Sequence, residues 1–206
     1  MGLNRKLGTT FTHECASCHN RRVPQNRHAW AAPALLLLAA TLFALGCGPA
    51  RRPDGGVGLL PVGAAAPEVV GYDAAGKDVR LSALTAAHTK AVVYFYPKDE
   101  SPGCTTEACA FRDAWDRYIK AGVSVIGVSS DSRESHTEFL QKKHLPFALA
   151  SDEDGTVGAT YGVPKRLWGY SRVTFLVGAD GKIVHVWPDV DPGIHADEVL
   201  QAAGAP

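Results

Sequence analysis

AVVYFYPKDESPGCTTEACAFRD, residues 91 to 113, holds two of the five cysteines and changes character twice along its length. Ala91 to Tyr96 is a short β-branched and aromatic run, of the kind that forms a strand buried on both faces. Further on, Ala108, Phe111, Trp115, Tyr118 and Ile119 recur at helical spacing and predict a helix packed along one side. The chain therefore passes from strand through tight loop to helix, with Cys104 at or near the helix N-terminus. Unpaired amide N–H groups and the positive end of the helix dipole favour an anion there, which makes Cys104 a candidate nucleophile.

Cys109 refines the reading. Five residues of ideal helix give ~7.5 Å of rise and ~140° of rotation, which puts the two Cα atoms beyond the ~7 Å a disulfide tolerates. A bond between them requires the first helical turns to unwind, the behaviour of a redox centre that switches locally rather than of a static staple. The bland alternative is a pair of buried apolar cysteines. A zinc site is disfavoured, because C-x4-C without a second cysteine or histidine pair at ligand spacing does not close a coordination shell.

Phe95-Tyr-Pro-Lys-Asp99, Ser101-Pro-Gly-Cys104-Thr, Glu107-Ala-Cys109 and Phe111-Arg-Asp113 together resemble the active-site segment of the peroxiredoxins. Within them the stretch is most similar to the bacterioferritin-comigratory, or PrxQ, branch of the AhpC/TSA proteins. Pro97, Ser101 and Cys104 meet the family pattern P-x-x-x-[ST]-x-x-C, with serine where many relatives carry threonine. The resemblance implies that Cys104 is the peroxidatic cysteine and Cys109 the resolving one. It implies further that Ser101 hydrogen-bonds the peroxide and that Pro97 shields the thiolate from water. Arg172, opening the run Arg172-Val-Thr-Phe-Leu-Val177, stands at the place of the family arginine, and Glu107 matches the glutamate that orients it. A fixed cation suits this role because it supports a thiolate and polarises an O–O bond. Without the resemblance Arg172 reads as an ordinary surface arginine.

The rest of the chain predicts an α/β fold of thioredoxin type over residues 61 to 206. Glu68 to Tyr72 and Asp78 to Leu81 read as a hairpin, with Ser82 capping a short helical turn. Val123 to Ser129 reads as a second buried parallel strand. Asp131 or Ser132 caps a helix running to about His144, with Phe139 and Leu140 inward. Phe147 to Ala150 is a short strand, Arg172 to Val177 and Ile183 to Trp187 a terminal hairpin, and Ala196 to Ala202 a last helix.

Residues 23 to 47 have a basic start, an apolar run containing Leu35 to Leu38, and the ending Ala44-Leu-Gly-Cys47. That order describes an export signal of lipoprotein type, with Cys47 as the lipidated residue, or an uncleaved anchor. Either places the domain outside the cytoplasmic membrane, on the periplasmic side of the cell envelope. Residues 48 to 60, rich in Gly, Pro and Arg, read as a flexible tether. Residues 1 to 22 include Cys15-Ala-Ser-Cys18-His19, a C-x-x-C-H haem-attachment pattern. It precedes the export signal, on the wrong side of a membrane for haem attachment. A start at Val23 leaves it untranslated.

With 21 basic and 21 acidic residues the chain offers no electrostatic case for nucleic acid. His88, His136, His144, His185 and His195 show no metal-ligand spacing and read as surface or packing residues. Trp168 and Tyr170 read as a hydrophobic rim at the pocket mouth. The expected function is a thiol-dependent peroxidase, monomeric as the resemblance implies. It uses hydroperoxide as substrate, a thioredoxin-like dithiol as reductant, and no metal or organic cofactor. The rivals are an envelope thiol–disulfide oxidoreductase, for which C-x4-C is two residues too wide, and a non-catalytic lipoprotein binding module.

Overall fold

Strands β3 (Lys90–Phe95) and β4 (Val123–Ser129) form the parallel centre of a seven-stranded sheet, with Val92 opposite Val125 and Tyr94 opposite Gly127. Their near-continuous burial follows from helices covering both faces, so the two runs carry no polar side. The computed structural model describes residues 51–87 and 90–204. The expected export signal with Cys47, the extension with Cys15 and Cys18, and His88 lie outside them.

In chain order the elements are β1 (Val70–Tyr72), β2 (Asp78–Arg80), α1 (Leu81–Ala87), β3, α2 (Pro102–Asp113), α3 (Trp115–Lys120), β4 and α4 (Arg133–Lys143). There follow β5 (Ala148–Ser151), α5 (Thr156–Tyr161), β6 (Lys165–Arg166), β7 (Gly169–Tyr170), β8 (Val173–Gly178), β9 (Ile183–Trp187) and α6 (His195–Ala202). The sheet order is β2-β1-β5-β4-β3-β8-β9. Strands β3, β4 and β5 are parallel, and the flanking pairings are antiparallel. Alternation along β3 sorts two cores: Val92 and Tyr94 pack with Phe111, Tyr118, Leu140 and Leu200, while Val93 and Phe95 pack with Leu81, Tyr161 and Phe175.

Three expectations change. Residues 51 to 60 are not a tether: Arg51 bridges Val57, Arg52 Nη1 donates to the Gly58 carbonyl (2.8 Å), and Leu60 is buried with its N–H on the Tyr161 carbonyl. Composition misled here, because one arginine's hydrogen bonds order a stretch that glycine alone would leave loose. Ser82 lies inside α1 and is itself held by Glu68, whose carboxylate accepts its N–H (3.1 Å) and hydroxyl (2.6 Å). The helix after Cys104 is two helices, because Ala114 caps α2 and opens α3. Among the described residues no helix is long and apolar enough to cross a membrane.

His195 opens α6 with no exposed surface. Its Nε2 meets Thr174 Oγ1 at 2.9 Å, and its ring stands edge-on to Phe111 and Trp187. Burial pushes its pKa from 6.5 down to about 4, so the folded chain holds it neutral. Its contribution to stability is whole above the unfolded value and is lost as pH falls toward about 4, by roughly 3 kcal/mol. Urea unfolding of the wild type and of His195→Gln checks this: the stability difference between them should shrink in that sense as pH drops from 7 to 4.5.

Candidate active site

The loop from Pro97 to Ser101 leaves the end of β3 at the carboxyl edge of the parallel strands, where open α/β sheets place their ligands. Pro102 at the first helical position has no N–H to satisfy, and Ser101 stands at the N-cap in an extended conformation. The Ser101 hydroxyl donates to the Lys98 carbonyl (3.0 Å) rather than capping the helix. The first-turn amides of Gly103 and Cys104 therefore have no intrahelical partner, and Cys104, 1 % exposed, sits among them.

Arg172, immediately before β8, reaches across to this helix start. Its Nη2 lies 3.3 Å from Cys104 Sγ, and its Nη1 donates to Glu107 Oε2 at 2.6 Å. One guanidinium thus spans the sulfur and a buried carboxylate one helical turn further on. Burial pushes Glu107 up to about 7 against the opposing pull of Arg172, and its Oε1 has no protein partner. Gly103 makes the approach possible: a Cβ there would lie 2.7 Å from Arg172 Nη2.

Pro97 and Ser101 line a groove of about 400 Å³ with Lys98, Ser130, Asp131, Leu167, Trp168 and Gly169. Leu167 and Trp168, at the tip of the β6–β7 hairpin, are 89 % and 81 % exposed. The hairpin is seated on the loop through Gly169, whose φ is +106° and whose Cβ, if present, would fall 1.8 Å from the Pro97 carbonyl oxygen. Tyr170 is not at the mouth. It is buried, with its hydroxyl donating to Asp152.

Cys109 is half-buried on α2, and both cysteines are free. The helix between them is continuous, so their sulfurs meet only if its first turns open. Among the described residues no group of three or more His, Cys, Asp or Glu side chains is placed to hold a metal ion. The structure thus brings Pro97, Ser101, Cys104, Glu107 and Arg172 to one edge of the sheet. Sequence reasoning missed Gly103, whose only signal was its place beside the cysteine, and it passed over His136 and Asp99, which are joined beneath the loop (2.7 Å).

The AhpC/TSA family matches residues 62–186. A chloroplastic peroxiredoxin Q of Triticum aestivum is 40% identical over 168 residues, covering 79% of this chain and 76% of that one. The crystal structure of peroxidoxin BcpB from Mycobacterium tuberculosis superposes with a TM-score of 0.64 at 31% identity, covering 70% of this chain and 97% of that one. The Xanthomonas campestris bacterioferritin comigratory protein, whose structures were used to examine alkyl peroxide reduction, superposes with a TM-score of 0.60 at 35% identity, covering 66% and 90%. With a thioredoxin-like sheet and a cysteine under an arginine at a helix start, the chain belongs to the AhpC/TSA family and is a peroxiredoxin. Its branch is that of the bacterioferritin-comigratory, or PrxQ, proteins.

Gly103→Ala separates the arginine's effect from stability. The added methyl displaces the guanidinium from Sγ, so the rate constant for Cys104 oxidation by peroxide should fall about tenfold or more. The melting temperature should change by only a few degrees, because the methyl meets the movable end of Arg172 at Nη2 while Nη1 keeps its bond to Glu107. Stopped-flow oxidation and thermal unfolding read the two effects.

Proposed function

We propose that this peroxiredoxin reduces hydrogen peroxide and organic hydroperoxides through Cys104, with Cys109 as resolving thiol and a thioredoxin-like dithiol as reductant. The observation that carries the reading is the Arg172 bridge from Cys104 Sγ to Glu107. The Cys104 thiolate attacks one peroxide oxygen, the O–O bond breaks, and the sulfur becomes a sulfenic acid while water or an alcohol leaves. Arg172 faces the charge that moves from sulfur to the leaving oxygen. Ser101, its hydrogen engaged by Lys98, offers hydroxyl lone pairs toward the groove's contents.

Resolution then requires α2 to open from its start. The Cys109 thiol displaces hydroxide from the sulfenic sulfur, water is released, and a disulfide forms. An external dithiol reduces it by two exchange steps and is itself oxidised. Alkyl hydroperoxides enter the reading through the likeness to the Xanthomonas campestris protein and through the apolar side of the groove at Leu167 and Trp168. The export-signal pattern ending at Cys47 supports a second proposal, that the enzyme works in the cell envelope on a lipid anchor.

Peroxide consumption with a thioredoxin system tests the mechanism. Cys104→Ser should abolish it. Cys109→Ser should still consume about one equivalent of peroxide per chain and then lose turnover with the thioredoxin-type reductant. Unchanged turnover in Cys109→Ser would remove Cys109 from the mechanism.

A further inference from the structure

Asp99 lies two residues after Pro97 and two before Ser101, in a loop that borders the groove. A carboxylate in such a loop belongs in water, yet Asp99 is 6 % exposed. Its Oδ1 accepts the Tyr96 hydroxyl at 2.7 Å. Its Oδ2 accepts the Ser135 hydroxyl at 2.8 Å and faces His136 Nδ1 at 2.7 Å. Its N–H donates to Asp131 Oδ2 (2.8 Å), which also accepts the Ser129 hydroxyl (2.7 Å). The loop is thereby tied to the end of β3, the end of β4 and the first turn of α4.

His136, fully buried, decides where the hydrogens lie. Its Nε2 stands 3.2 Å from the Ala150 carbonyl oxygen, an atom that only accepts, so Nε2 carries a hydrogen. Nδ1 and Asp99 Oδ2 could not stand 2.7 Å apart as two bare lone pairs. One hydrogen lies between them, and the pair as a whole carries no net charge. Every oxygen of the carboxylate is bonded, which avoids the cost of an isolated buried charge.

We propose that the buried Asp99–His136 pair is a positioning device for the peroxide reaction, holding Pro97 and Ser101 in register with Cys104 from beneath the loop. The chain turns sharply just beyond this anchor: Glu100 has φ +56°, a left-handed conformation uncommon for a non-glycine residue, and its carboxylate meets Lys142 at the surface. The anchor and the helix start therefore meet at one turn. When α2 opens, Pro97 and Asp99 stay bound to the sheet while Ser101 and Cys104 move.

The inference rests on Cys104 being the peroxidatic sulfur, and the loss of all activity in Cys104→Ser tests that separately. Steady-state kinetics of the full chain, varying peroxide and dithiol in turn, read the two half-reactions of each variant. Asp99→Ala should lower kcat/KM for peroxide about tenfold to a hundredfold, because the loop loses its register. It should leave kcat/KM for the dithiol within about threefold, since the open oxidised form does not use that register. Asp99→Asn should recover most of the loss. Its amide supplies a hydrogen to Nδ1 of neutral His136 and another to Ser135 Oγ, while its oxygen keeps the Tyr96 hydroxyl. Equal losses in both constants, or an Asp99→Asn variant as slow as Asp99→Ala, would overturn the proposal in favour of simple destabilisation. If Asp99→Ala does not fold, Tyr96→Phe removes one donor to Asp99 and keeps the buried ring. It should show the same split at smaller size, and an unchanged peroxide constant there overturns the proposal.

Discussion

A buried carboxylate and a sulfur share one guanidinium, and much of the molecule is arranged so that they can. Glu107 is almost fully covered, and an uncompensated charge in that position would be costly. Arg172 meets the cost only by arriving from a strand start 65 residues away in sequence, through the antiparallel pairing of β8 with β3. That pairing seats Val173 opposite Phe95 and sets the arginine above the helix start. Gly103 keeps the gap open, and the Pro192 ring lies on the same side. Packing, register and a missing methyl group thus converge on one contact of 3.3 Å.

The parts of this arrangement that were legible in the sequence are those with local causes. β3 and β4 are short runs dominated by buried apolar residues, and β4 spans the residues expected. Ser132 caps α4 through the Ser135 N–H, and His144 ends it in a left-handed turn. Cys104 stands at a helix start because proline and glycine punctuate the chain just before it. Glu107 lies one helical turn from it, but the meeting of Cys104 with Arg172 followed from family resemblance, since no spacing rule joins residues 68 apart.

What stayed hidden depends on distant partners. His136 looked like any scattered histidine. Its hydrogen bonds run to Asp99, 37 residues away in the loop after β3, and to the Ala150 carbonyl in β5. The Glu68 carboxylate that holds Ser82 is 14 residues away. The β6–β7 hairpin has strands of two residues each, too short for a period-two pattern, and owes its place to the close approach of Gly169 to Pro97. The helical spacing of apolar residues ran on past Ala114, where the helix breaks, and Ile119 on the second helix is half exposed.

That interruption at Ala114 bears on how damage is contained. α3 is secured by itself: Tyr118 donates to the Ala196 carbonyl at 2.7 Å, and Arg117 pairs with Asp197. Helical order is cooperative along an unbroken run, so a fraying end propagates until something stops it. Here the break ends the run, and Phe111, fully buried, holds the last turn of α2 from inside. The opening proposed to join Cys104 to Cys109 therefore has a built-in stop: about two turns of helix precede the turn that Phe111 anchors, and the break at Ala114 separates them from α3.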